Sequence, residues 1–208
     1  MSRVLLASGN AKKLAELRRI VAPLVPGVEV LGLADLPDPD AWTEPVEDGA
    51  TFVENALIKA RAAHALTGWP SLADDSGLCV DALNGMPGVL SARWSGPPKD
   101  DARNNRLLLD QLVEVPDPRR GGHFACAVAL VHGPVTAPVE QVVEGRMAGR
   151  VEREVRGSGG FGYDVLFTAD DRPGLTTAEL DVADKDAISH RGRALRAMAP
   201  ILAAALGS

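Results

Sequence analysis

The chain alternates between short apolar runs and segments in which apolar residues recur every three or four positions. Residues 3–7 predict a short buried strand, and residues 11–24 have the spacing of an amphipathic helix. A second strand over 28–33, a proline-rich acidic loop over 34–50 and a helix over 51–66 follow. The first third of the chain therefore alternates strands with helices.

The middle of the chain predicts two strand segments around a polar interruption. Residues 71–83 indicate a strand, a break at residues 74–77 and then another strand. Residues 84–99 are rich in glycine and proline, which predicts irregular structure. A helix over 101–113 is expected to face inward with Leu107, Leu108 and Leu112.

The last third predicts paired strands over 123–132 and 138–147. A glycine cluster at 157–162 precedes an apolar segment at 163–167 that predicts a strand, and a final helix begins near residue 190. Strands that alternate with helices predict an α/β protein with a mixed sheet. Because no linker-like change of composition divides the chain, we expect a single domain over residues 1–208.

Composition narrows the class of protein. The 208 residues are 46% hydrophobic and 24% charged, which is ordinary for a globular protein. With 22 basic and 28 acidic residues the net charge is -6, which argues against a nucleic-acid polymer as partner but not against a small anion. No apolar run predicts a signal peptide or a membrane span. Cys79 and Cys126 lie in apolar segments as expected for buried reduced thiols, so we predict a cytoplasmic protein.

Basic residues lie where two helices are predicted to begin. Lys12 and Lys13 open the first helix, and His190, Arg191 and Arg193 surround the start of the last. Cations are unfavourable at helix N-termini, where backbone N–H groups already carry partial positive charge. Either these side chains are solvated surface residues or they bind an anion such as phosphate. Two such starts in one acidic protein favour phosphate binding.

Adjacent acids form a second unusual feature. Asp74 and Asp75 lie between apolar segments, where neighbouring carboxylates repel one another and lose solvation if they are buried. A solvated turn and a divalent metal site both explain them, and Glu44, Glu47 and Asp48 offer further carboxylates. Cations for phosphate together with carboxylates for a metal are typical of Mg²⁺-dependent phosphoryl or nucleotidyl chemistry.

The glycine cluster does not predict a dinucleotide site. Residues 157–162 have the spacing G-x-G-x-x-G, but that fingerprint must follow an apolar strand and open a helix, and here a charged segment precedes it. Phe161, which lies among these glycines, either stacks on a nucleobase or fills a gap in the packing. Asn55 and Lys59 lie four residues apart on one helix face and could point together into a cleft.

Taken together, these segments resemble the inosine triphosphate pyrophosphatases, also called deaminated-purine nucleoside triphosphate pyrophosphatases. The matching segments follow the family's order from residue 4 to about residue 198. They are SGNAKK, TFVENALIKA, ADDSGLCVDALNGMPGVLSARWSG, GSGGFGYDVLF and KDAISHRGRAL. The combination of ADDSGL with FGYD and SHRG is highly specific. The resemblance implies Mg²⁺-dependent hydrolysis of ITP, dITP and XTP to the monophosphate and pyrophosphate.

The resemblance also implies an architecture. It is an elongated mixed sheet with flanking helices, which form two lobes around a central nucleotide cleft, and the family is usually homodimeric. The purine nucleoside triphosphate is the implied substrate. Neither a nucleic-acid polymer nor a membrane is an expected partner.

Residue by residue, the resemblance assigns a triphosphate-binding loop to Ser8, Gly9, Asn10, Ala11, Lys12 and Lys13. Asp75 resembles the family's metal-binding acid and proton acceptor, with Asp74 beside it and Ser76 touching the substrate. Glu47 matches the other acidic metal position, and Asp48 is the alternative. The base and sugar side of the site is assigned to Phe161, Gly162, Tyr163, Asp164, Lys185, His190 and Arg191.

The implied reaction is attack of water on the α-phosphorus with pyrophosphate as the leaving group. We expect Lys185 to donate a hydrogen bond to the 6-oxo group of the base, a group that adenine does not have. Two other functions remain open at this point. One is a related pyrophosphatase for other modified nucleotides, and the other is a nucleotide-binding protein without catalysis.

Overall fold

The structure, a computed structural model, describes residues 2–207. Within them, the strands are β1 (Ser2–Leu6), β2 (Val28–Leu31), β3 (Ser71–Val80), β4 (Gly121–His132), β5 (Val139–Val151) and β6 (Phe167–Ala169). The α-helices are α1 (Ala11–Val21), α2 (Phe52–Thr67), α3 (Asp101–Gln111), α4 (Val182–Ile188) and α5 (His190–Leu206). Short 3-10 turns occur between several of these elements.

The strands form one mixed sheet in the order β2-β1-β3-β4-β5-β6. Strand β1 pairs in parallel with both β2 and β3, whereas β5 and β6 pair antiparallel. The strands predicted over 123–132 and 138–147 are β4 and β5, which are neighbours in the sheet. The prediction of an α/β protein with a mixed sheet is confirmed.

The described chain folds into two compact units. The first contains the residues up to Asp75, Cys126–Gly145 and the residues from Arg191 onward. The second contains Ser76–Ala125 and Arg146–His190. Each unit has its own apolar core, and the single domain over 1–208 stays a prediction.

In the first unit, one face of the sheet packs against α1 and α5. Val4 of β1 and Leu72 of β3 lie in one buried cluster with Leu17 of α1 and Leu195 of α5. Because side chains alternate between the two faces of a strand, the next residue along each strand points to the opposite side.

The opposite face of the sheet packs against α2. Leu5 of β1 and Ala73 of β3 are buried there with Ala56, Ala60 and Ala63, which form a stripe of small residues along α2. Small side chains on both surfaces let the helix lie close to the strands. The side chains at even positions of β3, such as Leu72, therefore face α1 and α5, and those at odd positions, such as Ala73, face α2.

The second unit has a core of larger side chains. Phe124 and Phe167 meet edge to face with ring centroids 4.8 Å apart. Around them lie other fully buried apolar residues, including Leu78, Val80, Leu108, Leu112, Met147, Val151 and Leu166.

The predicted interruption of β3 is wrong. The strand runs without a break from Ser71 to Val80 and includes Asp74 and Asp75. A solvated turn was one explanation of these acids, but Asp74 is buried and Asp75 is partly buried. Both are held by side chains from neighbouring helices, so the strand tolerates them.

Two further predictions need correction in the second unit. Most of the strand predicted over 163–167 is a 3-10 turn at Asp164–Leu166, since a buried turn has the same apolar content as a strand. Leu107 is only half-buried, and the buried face of α3 includes Asn104 and Asn105 instead. Helix α4 was not predicted.

The remaining observations concern the membrane and the thiols. None of the helices in residues 2–207 combines the length and hydropathy that a membrane span requires. Cys79 and Cys126 are both free thiols, and Cys126 is buried as predicted, while Cys79 is half-buried.

In the second unit, the buried Arg120 side chain donates hydrogen bonds to backbone carbonyl oxygens. This side chain is 1% exposed. Its Nε donates to the carbonyl oxygen of Val151 at 2.9 Å, Nη1 to that of Leu112 at 2.7 Å and Nη2 to that of Glu152 at 2.8 Å. The guanidinium therefore joins β5 to the end of α3.

We expect Arg120→Ala to lower the free energy of unfolding by about 3 kcal/mol or more, because it removes three hydrogen bonds from a buried site. Urea denaturation measures the change, and the exposed neighbour Arg119→Ala is the matched control. Equal stability of the two variants would contradict this role of Arg120.

Candidate active site

Strand β3 sends its two adjacent acids to different surroundings. Asp74 follows Leu72 on the face that packs against α1 and α5, and Asp75 follows Ala73 on the face that packs against α2. Each carboxylate therefore meets its own set of partners, although the residues are consecutive.

The turn before α1 is ordered by its own side chains. Asn10 is the N-cap, and its side-chain oxygen accepts hydrogen bonds from the backbone N–H groups of Lys12 at 2.9 Å and Lys13 at 3.3 Å. The Ser8 hydroxyl accepts one from the N–H of Asn10 at 3.2 Å. The capped turn brings the Lys13 side chain to β3.

Four charged residues, which we name the Asp74 network, join α1, β3 and α5. The Nζ atom of Lys13 lies 2.9 Å from Oδ2 of Asp74, and Nε of Arg191 lies 3.0 Å from the same oxygen. Nη1 of Arg191 also lies 2.9 Å from Oε2 of Glu16. Two cations and two carboxylates thus balance in charge, and all four side chains are at most 15% exposed.

The network keeps Asp74 ionised. Burial acts to raise the pKa of Asp74, but the charges of Lys13, Arg191 and Lys59 outweigh it and hold the pKa well below its usual range. Burial likewise acts to lower the pKa of Arg191, and Asp74 and Glu16 raise it above its usual value. Asp74 is therefore a permanent counter-ion that orients two cations.

The second group, which we name the Asp75 group, consists of Glu47, Asn55, Lys59 and Asp75. The Nδ2 atom of Asn55 donates to Oδ2 of Asp75 at 3.1 Å. The Nζ atom of Lys59 lies 2.9 Å from Oε2 of Glu47 and 3.8 Å from Oδ1 of Asp75. Asn55 and Lys59 do share one helix face, and both point at the same carboxylate.

Asn55 also ties the acidic loop to α2. Its Oδ1 accepts a hydrogen bond from the N–H of Gly49 at 2.9 Å. A Cβ atom at Gly49 would lie 2.7 Å from that same Oδ1, so glycine is needed for the approach. One side chain, 1% exposed, therefore holds both Asp75 and the loop that contains Glu47.

The pKa of Asp75 moves in the opposite direction from that of Asp74. Burial raises it and the nearby charge of Glu47 raises it further, while Lys59 and the hydrogen bond from Asn55 offset only part of this. Two carboxylates whose pKa values are driven apart can serve as a fixed charge and as a proton acceptor.

Glu47 and Asp75 also suit a divalent cation. Their carboxylates converge on the Lys59 ammonium, which shows that this position favours positive charge. Asp48, the alternative acid, is exposed. Across residues 2–207 no three His, Cys, Asp or Glu side chains form a metal cage. A hard ion that keeps water or phosphate oxygens in its shell, as Mg²⁺ does, fits two carboxylates.

In the second unit, the glycine cluster wraps around an ion pair. The Nζ atom of Lys185 lies 2.6 Å from Oδ2 of Asp164, which also accepts from the N–H of Phe161 at 2.8 Å. Gly160 has φ +70°, and a Cβ atom there would meet Asp164 and would lie 2.7 Å from Nζ of Lys185. The Lys185 ammonium lies 5.6 Å from the centre of the Phe161 ring. Phe161, Asp164 and Lys185 therefore form one site.

Other predicted residues in this part of the chain have different surroundings. Tyr163 is 3% exposed and its hydroxyl donates to the carbonyl of Ser91 at 3.0 Å, so its side chain packs in the core. His190 is 7% exposed, and its ring stacks on that of Phe124 with the ring centroids 4.9 Å apart. Ser76 is half-buried on β3. Arg191, predicted on the base side, contacts Asp74 and Glu16.

Sequence reasoning missed Glu16, and it placed Asn55 and Lys59 on one helix face without assigning them to Asp75. Glu16 lies three residues after Lys13 in α1, so one helical turn separates the acid from the cation that shares its network. The available signal in the sequence was an acidic residue directly beside the apolar face of the predicted helix.

A helix N-terminus with cations beside it, and carboxylates suited to a divalent ion, are features of sites that bind phosphate groups. The chain belongs to the Ham1 family, whose family model matches residues 4–201. The resemblance stated from the sequence is thereby confirmed.

Individual relatives agree over nearly the whole chain. A dITP/XTP pyrophosphatase of Nocardia farcinica is 60% identical, covering 98% of this chain and 96% of the relative. Among solved structures, a HAM1 protein from Coxiella burnetii has a TM-score of 0.84 at 40% identity, covering 99% of this chain and 100% of that one. A dITP/XTP pyrophosphatase from Mycobacterium abscessus has a TM-score of 0.73 at 53% identity, covering 95% of this chain and 99% of that one.

The opposite environments of the two acids predict opposite effects on stability. Asp74→Asn should lower the free energy of unfolding by about 3 kcal/mol, because it leaves two buried cations without their shared carboxylate. Asp75→Asn should leave that free energy unchanged or raise it. A pKa raised by folding means that ionised Asp75 destabilises the folded state at neutral pH, and the amide removes that charge.

Urea denaturation at neutral pH without divalent metal compares the two variants with the wild type. Equal losses of stability in both would contradict the separation of the acids by β3.

Proposed function

We propose that this protein hydrolyses deaminated purine nucleoside triphosphates, namely ITP, dITP and XTP, to the nucleoside monophosphate and pyrophosphate. The observation that carries the proposal is the split acid pair on β3, where Asp74 holds cations in place and Asp75 is suited to metal and proton chemistry. The names of the relatives from Nocardia farcinica and Mycobacterium abscessus support this substrate class.

The triphosphate is assigned to the start of α1. The loop Ser8–Lys13 supplies small side chains at a helix N-terminus, where the helix dipole favours an anion, and the Lys13 ammonium offsets negative charge on the pyrophosphate. Lys13 and Arg191 are already oriented by Asp74, so little rotamer freedom is lost when an anion binds. Such preorganised cations stabilise charge that develops on a leaving group.

Glu47 and Asp75 are the residues that we assign to Mg²⁺. When bound, the ion supplies charge neutralisation for the phosphate oxygens and geometric order for the substrate. The convergence of both carboxylates on the Lys59 ammonium supports this assignment.

The chain's own residues then provide the proton chemistry. A water oxygen forms a bond to the α-phosphorus as the bond from that phosphorus to the pyrophosphate oxygen breaks. Asp75, or a water that it orients, accepts the proton of the attacking water. Without a bound cation, burial and the nearby charge of Glu47 raise the pKa of Asp75, which favours proton uptake by this carboxylate. Asn55 holds Oδ2 of Asp75 in place during this step.

Selection of the base is assigned to the second unit. Asp164 accepts one hydrogen bond from the Lys185 ammonium, and the ammonium has two further protons to donate to a 6-oxo group. An adenine amino group would face that donor without an acceptor, which costs binding energy. The Phe161 ring offers a face for stacking.

Other aspects of the proposal come from the sequence alone. They are action on the nucleotide pool in the cytoplasm, a homodimeric assembly and the contacts of Ser76, Gly162, Tyr163 and His190 with the nucleotide. Each stays a prediction.

A panel of nucleotides tests the function. With Mg²⁺, the purified protein should release pyrophosphate from ITP, dITP or XTP far faster than from ATP or GTP. For ATP we expect at least about a 100-fold difference, since its amino group leaves the Lys185 donor without an acceptor, whereas GTP keeps the 6-oxo group and its exclusion needs a contact at the 2-position. Asp75→Asn, which removes the proton acceptor, gives the background rate.

Equal rates across the panel, or orthophosphate as the first product, would overturn the proposal. Tight nucleotide binding with no product would instead establish a binding protein.

The metal assignment predicts a difference between neighbouring acids. Glu47→Gln should raise the Mg²⁺ concentration for half-maximal rate about tenfold or more, because it removes a charged oxygen ligand. Asp48→Asn, an exposed acid in the same loop, is the matched control and should leave that concentration unchanged. A shift in Asp48→Asn alone would move the metal site to Asp48.

A further inference from the structure

Two side chains of α3 hold both polar groups of one glycine. The backbone N–H of Gly162 donates to Oδ2 of Asp101 at 2.7 Å, and its carbonyl oxygen accepts from Nδ2 of Asn105 at 3.0 Å. Asp101 and Asn105 lie four residues apart, so they share one face of the helix. We name these two residues the α3 clamp.

The clamp acts next to the ring assigned to the base. Phe161 lies between Gly160, with φ +70°, and Gly162, with φ +62°. Because glycine has no Cβ atom, the chain on both sides of Phe161 has more conformational freedom than at other residues, so the direction of the Phe161 side chain depends on outside restraints. Asp164 restrains the N–H of Phe161 at 2.8 Å, and the clamp restrains the peptide that follows.

Asn105 is costly at its position, which argues that its hydrogen bond is needed. The residue is 6% exposed, and its Oδ1 is buried without a hydrogen-bond partner in the described part of the chain. An unpaired buried amide oxygen is unfavourable, and the buried residue one turn further along the same helix face, Leu108, is apolar. The remaining contribution of Asn105 is the bond from Nδ2 to Gly162.

A cavity adjoins the clamp and the ring. Its volume is about 440 Å³, and its lining includes Asp101, Asn105, Leu109, Val155 and Phe161. Open space beside the loop means that packing alone does not hold residues 161–162 in place. Directed hydrogen bonds from α3 therefore supply the restraint on that side.

We propose that Asp101 and Asn105 are positioning residues for base recognition, which act by holding the Gly162 peptide so that the Phe161 ring stays beside Lys185. The inference rests on the proposed function, since it takes Phe161 to stack on the base. Stacking contributes to binding of the substrate and of the transition state alike. Loss of the clamp should therefore raise KM and leave kcat nearly unchanged.

The test is steady-state kinetics of pyrophosphate release from ITP. Asp101→Ala and Asn105→Ala should each raise KM about tenfold, which is within the range that one stacked base contributes, and should change kcat by less than about threefold. Asp101→Asn keeps an oxygen that accepts from Gly162 and should restore KM to within about twofold of the wild type. Asp110→Ala, an exposed acid later in α3, is the matched control.

A double-mutant cycle separates positioning from general damage. If the clamp acts through the ring, Asp101→Ala should add little to KM in a Phe161→Ala background, because the ring it positions is gone. Asp101 is exposed, so this variant remains informative even if Asn105→Ala fails to fold.

Additive effects in the cycle, or an Asp101→Asn variant as impaired as Asp101→Ala, would overturn the clamp while leaving the proposed function intact. A wild-type protein that hydrolyses no nucleoside triphosphate would overturn both.

Discussion

The alternation of side chains along β3 is the constraint on which the chemistry of the first unit depends. Because consecutive residues of a strand face opposite sides, Asp74 is directed to Lys13 and Arg191 and Asp75 to Asn55 and Lys59. Two adjacent carboxylates in a solvated turn would share one environment and repel one another. In β3 their hydrogen-bond and ion-pair partners differ, although the charge of Lys59 acts on both carboxylates, and folding lowers one pKa and raises the other.

The helical layers complete this division. Helix α2 lies close to the sheet through its alanine stripe, which lets Asn55 reach both Asp75 and the backbone of Gly49. In the second unit a glycine allows a similar close approach. A side chain at position 160 would collide with Asp164 and Lys185, so the loop can lie against them only because this residue is Gly160. In both places, small residues allow polar groups to meet in a buried setting.

The strands, the main helices and the family could be predicted from periodicity and motifs, because these signals are local. The partners of Asp74 could not, since Arg191 is distant in sequence from both Lys13 and Asp74 and only the fold brings them together. The break predicted in β3 was wrong because the partners that neutralise its buried acid come from distant parts of the sequence. Asn105 was overlooked because a buried amide in a helix has no sequence signal apart from its position on the apolar face.

An NMR pH titration of the side-chain carboxyl groups of Asp74 and Asp75, in the folded protein without divalent metal, measures directly how β3 separates the two acids. We expect the pKa of Asp75 to lie above the usual range for aspartate and the pKa of Asp74 to lie below it. Two pKa values displaced in the same direction, or both within the usual range, would contradict this separation.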